Sequence, residues 1–382
     1  MKGHVRKRGD KWCFVVELPR DEITGKRRQK WFSGFNTKKE AEKALTQKLH
    51  ELNTGSFVEP NKVTFLEHFE SWLLDKKAQV RESTWRTYDW IARCHIIPTI
   101  GKLELTKIKP ATLQKLYQQL QHRDEPLSAR SIIQVHLLIK QCLDRALKWG
   151  MIPNNPANAV DPPRYRKKEM LVWNVEEIGR FLSAAESHRL YALFYLAITT
   201  GMRKGELLGL RWTDIDFENK TIHVSQALAA VSKGYKLQEP KTASGRRMIS
   251  LSENDMTVLS QHKRKQAAEK LRVGEHYHDH GLVFASLVGT PISPRNVDRI
   301  WYELRKKADV PPITFHGLRH THATLLLKQG VHPKIVSERL GHSNIGITLD
   351  TYSHVLPGLQ EAAASQFSEV ISRSVQVHKN VL

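Results

Sequence analysis

The chain has 382 residues and a formal net charge of +21 at pH 7, which is too long for one ordinary domain and points to a polyanionic partner. Its three cysteines, Cys13, Cys94 and Cys142, are far apart and share no Cys-x-x-Cys spacing, which argues against a disulfide framework or a zinc knuckle and fits a reducing compartment. No apolar run approaches the ~18 residues of a membrane span. The basic start is followed by too short an apolar stretch for a secretion signal, so a soluble cytoplasmic protein is expected.

Residues 1–55 hold 14 lysines and arginines against 7 acidic residues. Within them Trp12 to Val16 is a short β-rich run, turn residues follow, and residues 27–35 mix basic with aromatic side chains. Two or three strands fit this pattern. Thr37 then caps a helix to about residue 52, with Glu40 completing a capping box. Such a basic sheet-plus-helix module could lie against DNA, with Arg and Lys reaching bases or phosphates, or it could be a solvated surface.

Residues 53–62, with Gly55, Pro60 and three asparagine or serine residues, read as a linker. The next segment, 63–150, is expected to be helical. Thr64 and Glu67 form a second capping box ahead of Phe65, Leu66, Phe69, Trp72 and Leu73 at helical spacing. Further helices are expected over 84–95, 110–120 and 128–149, with Gly150 as the stop. The stripe of Ile132, Val135, Leu138, Ile139, Cys142 and Leu143 is core packing. Residues 151–168 are proline-rich without an apolar period and read as a second linker, whose Arg164, Arg166, Lys167 and Lys168 could follow a phosphate backbone.

From residue 171 onward the pattern is mostly helical with one β-rich insertion. Asn174 and Glu177 cap a helix, and residues 190–198 form an apolar helix leading into Thr199-Thr200-Gly201. Residues 221–225, 235–237 and 247–251 read as strands of one small sheet. Ser293-Pro294 starts a helix to about residue 308.

Breaking a phosphodiester without a metal needs a nucleophile, positive donors for the phosphoryl oxygens and an acid for the leaving oxygen. Four stretches offer these. In Thr199 to Leu207, Arg203 stands at a helix start with Glu206 one turn later to hold it. Glu239 to Arg247 is a turn between strands with Lys241 near its entrance. In Thr314 to Thr321, His316 and Arg319 lie three apart at a helix start. Last, Leu340-Gly341-His342-Ser343 precedes Tyr352 by ten residues, counted from His342.

The ordered set Arg203, Lys241, His316-x-x-Arg319, His342, Tyr352 resembles the tyrosine recombinase family, also called phage integrases, and the resemblance covers the whole chain. It implies a multidomain, mainly α protein with three parts. Residues 1–55 would be an arm-type DNA-binding domain, 63–150 a helical, SAM-like core-binding domain, and 171–382 the catalytic domain with a C-terminal tail. By this resemblance Tyr352 attacks the scissile phosphate to give a 3′-phosphotyrosine and a free 5′-hydroxyl. Arg203 and Arg319 clamp the non-bridging oxygens, Lys241 protonates the leaving oxygen and His316 helps move the Tyr352 proton. His342 hydrogen-bonds the phosphate, and Glu206 supports the arginines. The positive cluster is expected to lower the proton affinity of Tyr352. No cofactor, metal or ATP is implied.

Its partners would be double-stranded attachment sites, core and arm, bound by a homotetramer that works through a Holliday junction. An excisionase and a DNA-bending host factor are further candidate partners; no membrane is involved, and the site of action is the nucleoid in the cytoplasm of a bacterial host. The function implied is site-specific integration and excision of a phage or conjugative element. A cellular dimer-resolving recombinase and a non-catalytic DNA-binding regulator are the alternatives.

Other readings stay beside these. His316, His320 and His322 have spacing that also suits zinc, without the acidic residue of a His-Glu-x-x-His site. His276, His278 and His280 could chelate or form a solvated turn. Lys233 and Lys236 share the hairpin region of Lys241; the run Lys241-Thr242-Ala243-Ser244-Gly245-Arg246 favours Lys241. Residues 333–340 and the stretch to Tyr352 read as scaffold rather than a helix-turn-helix. The helical tail, 356–382, could dock on its own subunit or on a neighbour.

Overall fold

The computed structural model describes residues 3–18, 25–53, 62–165, 170–231, 234–239, 245–352, 364–365, 367–369 and 371–372. The chain divides into two compact units, Met1–Lys167 and Lys168–Leu382. Among the described residues no helix is long and apolar enough to cross a membrane.

The first unit opens with an antiparallel sheet in the order β1 (Gly3–Arg8), β2 (Lys11–Leu18), β3 (Arg28–Phe35), followed by α1 (Lys38–Asn53). Strand alternation gives the sheet two unlike faces. Val5, Phe14 and Phe32 are cross-strand partners on one face, where the Phe14 and Phe32 rings stack with centroids 4.8 Å apart. Helix α1 packs on β1 and β2. On the opposite face Arg6 and Trp31 flank buried Cys13 and Val15, and the Arg6 guanidinium lies 3.8 Å from the centre of the Trp31 ring. The expected Thr37–Glu40 capping box is present, with reciprocal bonds of 3.2 and 3.3 Å.

Helices α2 (Phe65–Gln79), α3 (Glu82–Ile91), α4 (Ile97–Ile100), α5 (Pro110–His122) and α6 (Ala129–Lys148) follow. Their core holds Phe65, Phe69, Trp72, Leu116, Tyr117 and Ile139. A π-helical turn over Ala92–Ile96 separates α3 from α4. Pro98 has no N–H for the carbonyl four residues back and its ring crowds that carbonyl, which accounts for the loosened turn just before it. The second expected linker is only partly one. Ile152, Ala157 and Val160 are buried in this core, and Asn155 Nδ2 donates to Lys140 O at 3.0 Å and Asp144 Oδ1 at 2.7 Å. The first expected linker falls mostly on residues outside those described.

The second unit runs through α7 (Val175–Ala185), α8 (Tyr191–Thr200), α9 (Lys204–Gly209), β4 (Ile215–Asp216), β5 (Thr221–Val224), β6 (Ala227–Ala230), β7 (Tyr235–Gln238) and β8 (Arg247–Ser250). It continues with α10 (Glu253–Val273), α11 (Pro294–Lys307), α12 (Phe315–Lys328), α13 (Pro333–Leu340) and α14 (Ile345–Tyr352). The expected single sheet is two: β4-β5-β8 form one, and β6-β7 pair separately as a hairpin. Helix α10, 21 residues long and starting at a Ser252–Asp255 capping box, was not anticipated.

Aromatic rings dominate the core of this unit. Trp301 lies within 6 Å of Trp173, Phe181, Phe194 and Phe315, centroid to centroid. Both indoles are satisfied, Trp173 Nε1 by Pro311 O and Trp301 Nε1 by Ile313 O, as buried donors require. A smaller cluster of Ala323, Leu327, Val336, Leu340 and Tyr352 joins α12, α13 and α14. The mostly helical architecture with small sheets is the one expected.

Candidate active site

Two glycines organise the site. Gly201 ends α8 and Gly341 ends α13, each at positive φ (63° and 66°). A side chain at Gly201 would also place its Cβ 2.7 Å from the His322 ring. Ends of this kind expose carbonyls that no helical N–H can reach, and here arginines use them. Arg319 Nη1 donates to Gly201 O at 2.9 Å and its Nη2 to Leu340 O at 2.7 Å. Arg203 Nη2 donates to Gly341 O at 3.2 Å.

Arg203 precedes α9, where its N–H bonds Glu206 Oε2 at 2.9 Å and its guanidinium bonds Glu206 Oε1 at 2.7 Å. A third arginine, Arg247 at the start of β8, meets the same carboxylate at 2.8 and 3.2 Å and donates from Nε to Arg339 O at 2.7 Å. Burial works to raise the Glu206 carboxyl, but Arg247 and Arg203 overcome it and hold the group below the usual carboxylate range. Three guanidiniums and one carboxylate leave the cluster with two uncompensated positive charges, an arrangement chemically suited to a dianionic group. Burial, then the Arg203 charge, pushes Arg319 down to about 9, so it remains charged at neutral pH.

The structure therefore brings Arg203, Glu206 and Arg319 together, with His316, His342 and Tyr352 around them. His342 Nδ1 lies 2.8 Å from buried Thr348 Oγ1. Desolvation, followed by the Arg319 and Arg203 charges, pushes His342 down to about 4. His316 reaches the surface, yet desolvation and then the same two arginines hold it below the usual imidazole range. Both rings are thus neutral at pH 7, able to donate from one nitrogen and accept at the other. Lys241 lies outside the described residues, as does most of the tail.

The expectation for Tyr352 is reversed. Its phenol is pushed up to about 12, because burial in the Ala323–Leu327–Val336–Leu340 cluster outweighs the Arg319 charge. Its hydroxyl meets His320 Nδ1 at 2.7 Å. Arg247 and Thr348 are site residues that sequence reasoning missed, and His320, noted there only for zinc-like spacing, meets the tyrosine instead. Helical spacing from His316 does mark His320, but only as a zinc-like pair, whereas Arg247 carries no local signal beyond its place at the end of the turn after Lys241.

The model of the phage integrase family matches residues 172–358. The model of the phage integrase N-terminal SAM-like domain matches 64–121, and that of an arm DNA-binding domain matches 4–52. A tyrosine recombinase XerC-like protein of Caldanaerobacter subterraneus subsp. tengcongensis is 33% identical over 96% of this chain and 98% of its own length. The chain belongs to the phage integrase family of tyrosine recombinases. The recombinase is also 26% identical to the ICEBs1 integrase of Bacillus subtilis, over 92% of this chain and 95% of that one. In fold it matches the Tn1549 transposon integrase in complex with a circular intermediate DNA, with a TM-score of 0.69, 22% identity, and coverage of 80% and 99%. It is accordingly a site-specific recombinase that binds DNA and acts in DNA recombination and integration.

Buried His322 and half-buried His342 are expected to make the fold acid-sensitive. His322 Nδ1 bonds Ile198 O at 2.9 Å, and Arg339 Nε donates to His322 Nε2 at 3.2 Å, so the ring is held neutral. Burial first, then Arg339, pushes it down to about 4. For His322 and His342 the unfolded ring titrates near 6.5 and the folded one near 4. Between those values the unfolded chain binds more protons, so stability falls as pH drops from about 6.5 toward 4. Each ring contributes a slope of roughly 1.4 kcal/mol per pH unit at most. Urea midpoints of the full chain should decrease steadily from pH 7 to pH 4.5, less steeply in His322→Gln. Equal midpoints at pH 7 and pH 5 would contradict this.

Proposed function

We propose that the recombinase integrates a phage or conjugative element into a bacterial chromosome, and excises it, through a 3′-phosphotyrosine at Tyr352. Arg203 and Arg319 bind the non-bridging phosphate oxygens, His342 donates a further hydrogen bond, and His316 serves proton transfer. Lys241 protonates the leaving 5′-oxygen, and Glu206 holds the arginines in place. The supporting observation is the surplus of two positive charges in the Arg203–Glu206–Arg247–Arg319 cluster, beside a tyrosine hydroxyl.

On this reading residues 1–55 bind arm sites, 63–150 bind the core site and 171–382 carry the chemistry. Four protomers on two duplexes exchange strands through a Holliday junction in the bacterial cytoplasm, at the nucleoid, with an excisionase and a DNA-bending host protein as partners. The Arg6–Trp31 face of the N-terminal sheet, basic and aromatic, suits contact with DNA. A dimer-resolving cellular recombinase is the second reading, favoured by the name of the XerC-like relative; the arm-type module at residues 4–52 speaks for the mobile element.

The test uses duplex DNA spanning the element's own junction, nicked just beyond the scissile phosphate so that cleavage releases a short fragment. A covalent protein–DNA adduct should accumulate without metal or ATP, and peptide mapping should place the DNA on Tyr352. Mapping to any other residue would remove the central assignment. Attachment-site repeats flanking the gene support the mobile element, and their absence the dimer-resolving role.

A further inference from the structure

The phenol oxygen of Tyr352 meets His320, one turn after His316 on α12, and not His316 itself. The Oη–Nδ1 separation is 2.7 Å, and the two ring centroids lie 5.8 Å apart at 53°. An Nδ1 that accepts this proton belongs to a ring carrying its own hydrogen on Nε2. His320 is half-buried and Tyr352 is 1% exposed, so water has little access to the phenol. Beyond His320 the path opens: the His316 ring packs edge-on at 4.9 Å and 89°, and His316 is exposed. Two histidines thus lead from a buried hydroxyl to the surface.

We propose that His320 is a catalytic residue that takes the proton from Tyr352 Oη as the phenol becomes the nucleophile. The inference rests on Tyr352 being that nucleophile. In the forward step the O–H bond breaks, its electron pair stays on Oη, and a N–H bond forms at His320 Nδ1. Oη then bonds phosphorus, the bond from phosphorus to the 5′-oxygen breaks, and that oxygen takes its proton from the separate acid, Lys241 on the reading above. Rejoining reverses each transfer, so His320 returns the proton to the phenol oxygen.

The surroundings are consistent with a transfer inside a neutral pair. His320 is near Tyr352 from α14, His316 and Arg319 on its own helix, and His342 beyond α13, which it holds down electrostatically. An imidazolium at His320 formed together with the phenolate 2.7 Å away adds no net charge to the site. Burial opposes ionisation of Tyr352, so a contact acceptor matters more here than for an exposed phenol.

The experiment measures single-turnover cleavage of the nicked junction duplex by the full chain. His320→Asn keeps an oxygen acceptor near the Nδ1 position but cannot hold the proton, and should slow cleavage about 100-fold with DNA binding unchanged. Placing 3-fluorotyrosine, a more acidic phenol, at position 352 should restore most of that loss. A substrate with sulfur in place of the bridging 5′-oxygen, which leaves without an acid, should not restore it. Unchanged cleavage by His320→Asn overturns the proposal, as does rescue by the sulfur substrate but not by fluorotyrosine. If His320→Asn fails to bind DNA, His320→Gln is read by the same two rescues. Tyr352→Phe runs alongside: trapping by that variant would remove the nucleophile itself, whereas its silence with a fully active His320→Asn removes only the role of His320.

Discussion

Tyr352→Phe is expected to eliminate covalent trapping of nicked junction DNA while leaving affinity for the same DNA within about twofold of the native chain. The ring fills a cluster with Ala323, Leu327, Val336 and Leu340, and phenylalanine keeps every one of those contacts. What disappears is the hydroxyl and its bond to His320 Nδ1. Because His320 is only half-buried, the lost bond should cost about 1 kcal/mol of stability. The arginines that attract phosphate are untouched, so binding and its salt dependence should persist. With the phenol pushed up to about 12, only about one Tyr352 in 10⁵ is ionised at pH 7 in the free protein. Cleavage therefore depends on proton removal in the DNA complex and should slow as pH falls. Gel-shift binding and denaturing-gel trapping, run on the same samples, separate the two effects. Adduct formation by the Phe variant above the level of a DNA-only control would refute the assignment.

Local features of the fold were legible because local chemistry fixes them. The Thr64–Glu67 and Asn174–Glu177 capping boxes need only residues three apart, and both helices start where those pairs place them. Helix α10 escaped notice because its buried stripe includes His262 and Gln266, polar residues that look solvent-facing in a sequence. Their burial depends on Val283 O and Leu282 O, carbonyls contributed by a distant strand-like segment. Strand β6 is Ala-Leu-Ala-Ala, which carries no β signal. It forms where β7 pairs with it and where its backbone passes so close to Gly209 that a Cβ there would lie 3.0 Å from Ala227 Cα.

The site divides the same way. Motif order located Arg203, His316, Arg319 and His342, which sit close to helix ends that the sequence marks, and Tyr352, which closes α14 ten residues after His342. Arg247 and His320 acquire their roles from partners 41 and 32 residues away, through contacts that only the folded chain creates. The reversed Tyr352 shift has a similar origin. Counting nearby positive charges gives the correct sign for one contribution, but the larger one is desolvation by α12 and α13 side chains.

Glu206 carries the second large effect. Its side chain is 5% exposed, that of Arg247 is 6%, and Arg319 is 3% exposed. Removing the carboxylate with Glu206→Ala leaves three guanidiniums close together without a counter-charge, two of them shielded from water. Breaking a buried pair from one side costs about 3–5 kcal/mol, since the surviving charge keeps its desolvation penalty and loses its partner. For a unit of this size that corresponds to a fall of roughly 10 °C in Tm. Glu206→Gln retains the shape and one acceptor oxygen, so its loss should be smaller although the charge is equally gone. Charge and shape can then be separated by an anion. Sulfate should raise the Tm of Glu206→Gln more than that of the native chain, because the variant cluster carries three positive charges where the native one carries a surplus of two. Cleavage should still fall in Glu206→Gln, since Arg203 and Arg247 lose the carboxylate that orients both. A Tm for Glu206→Ala within 2 °C of the native value would mean that water or a shifted neighbour compensates the arginines, and the carboxylate would then have no structural claim on the site.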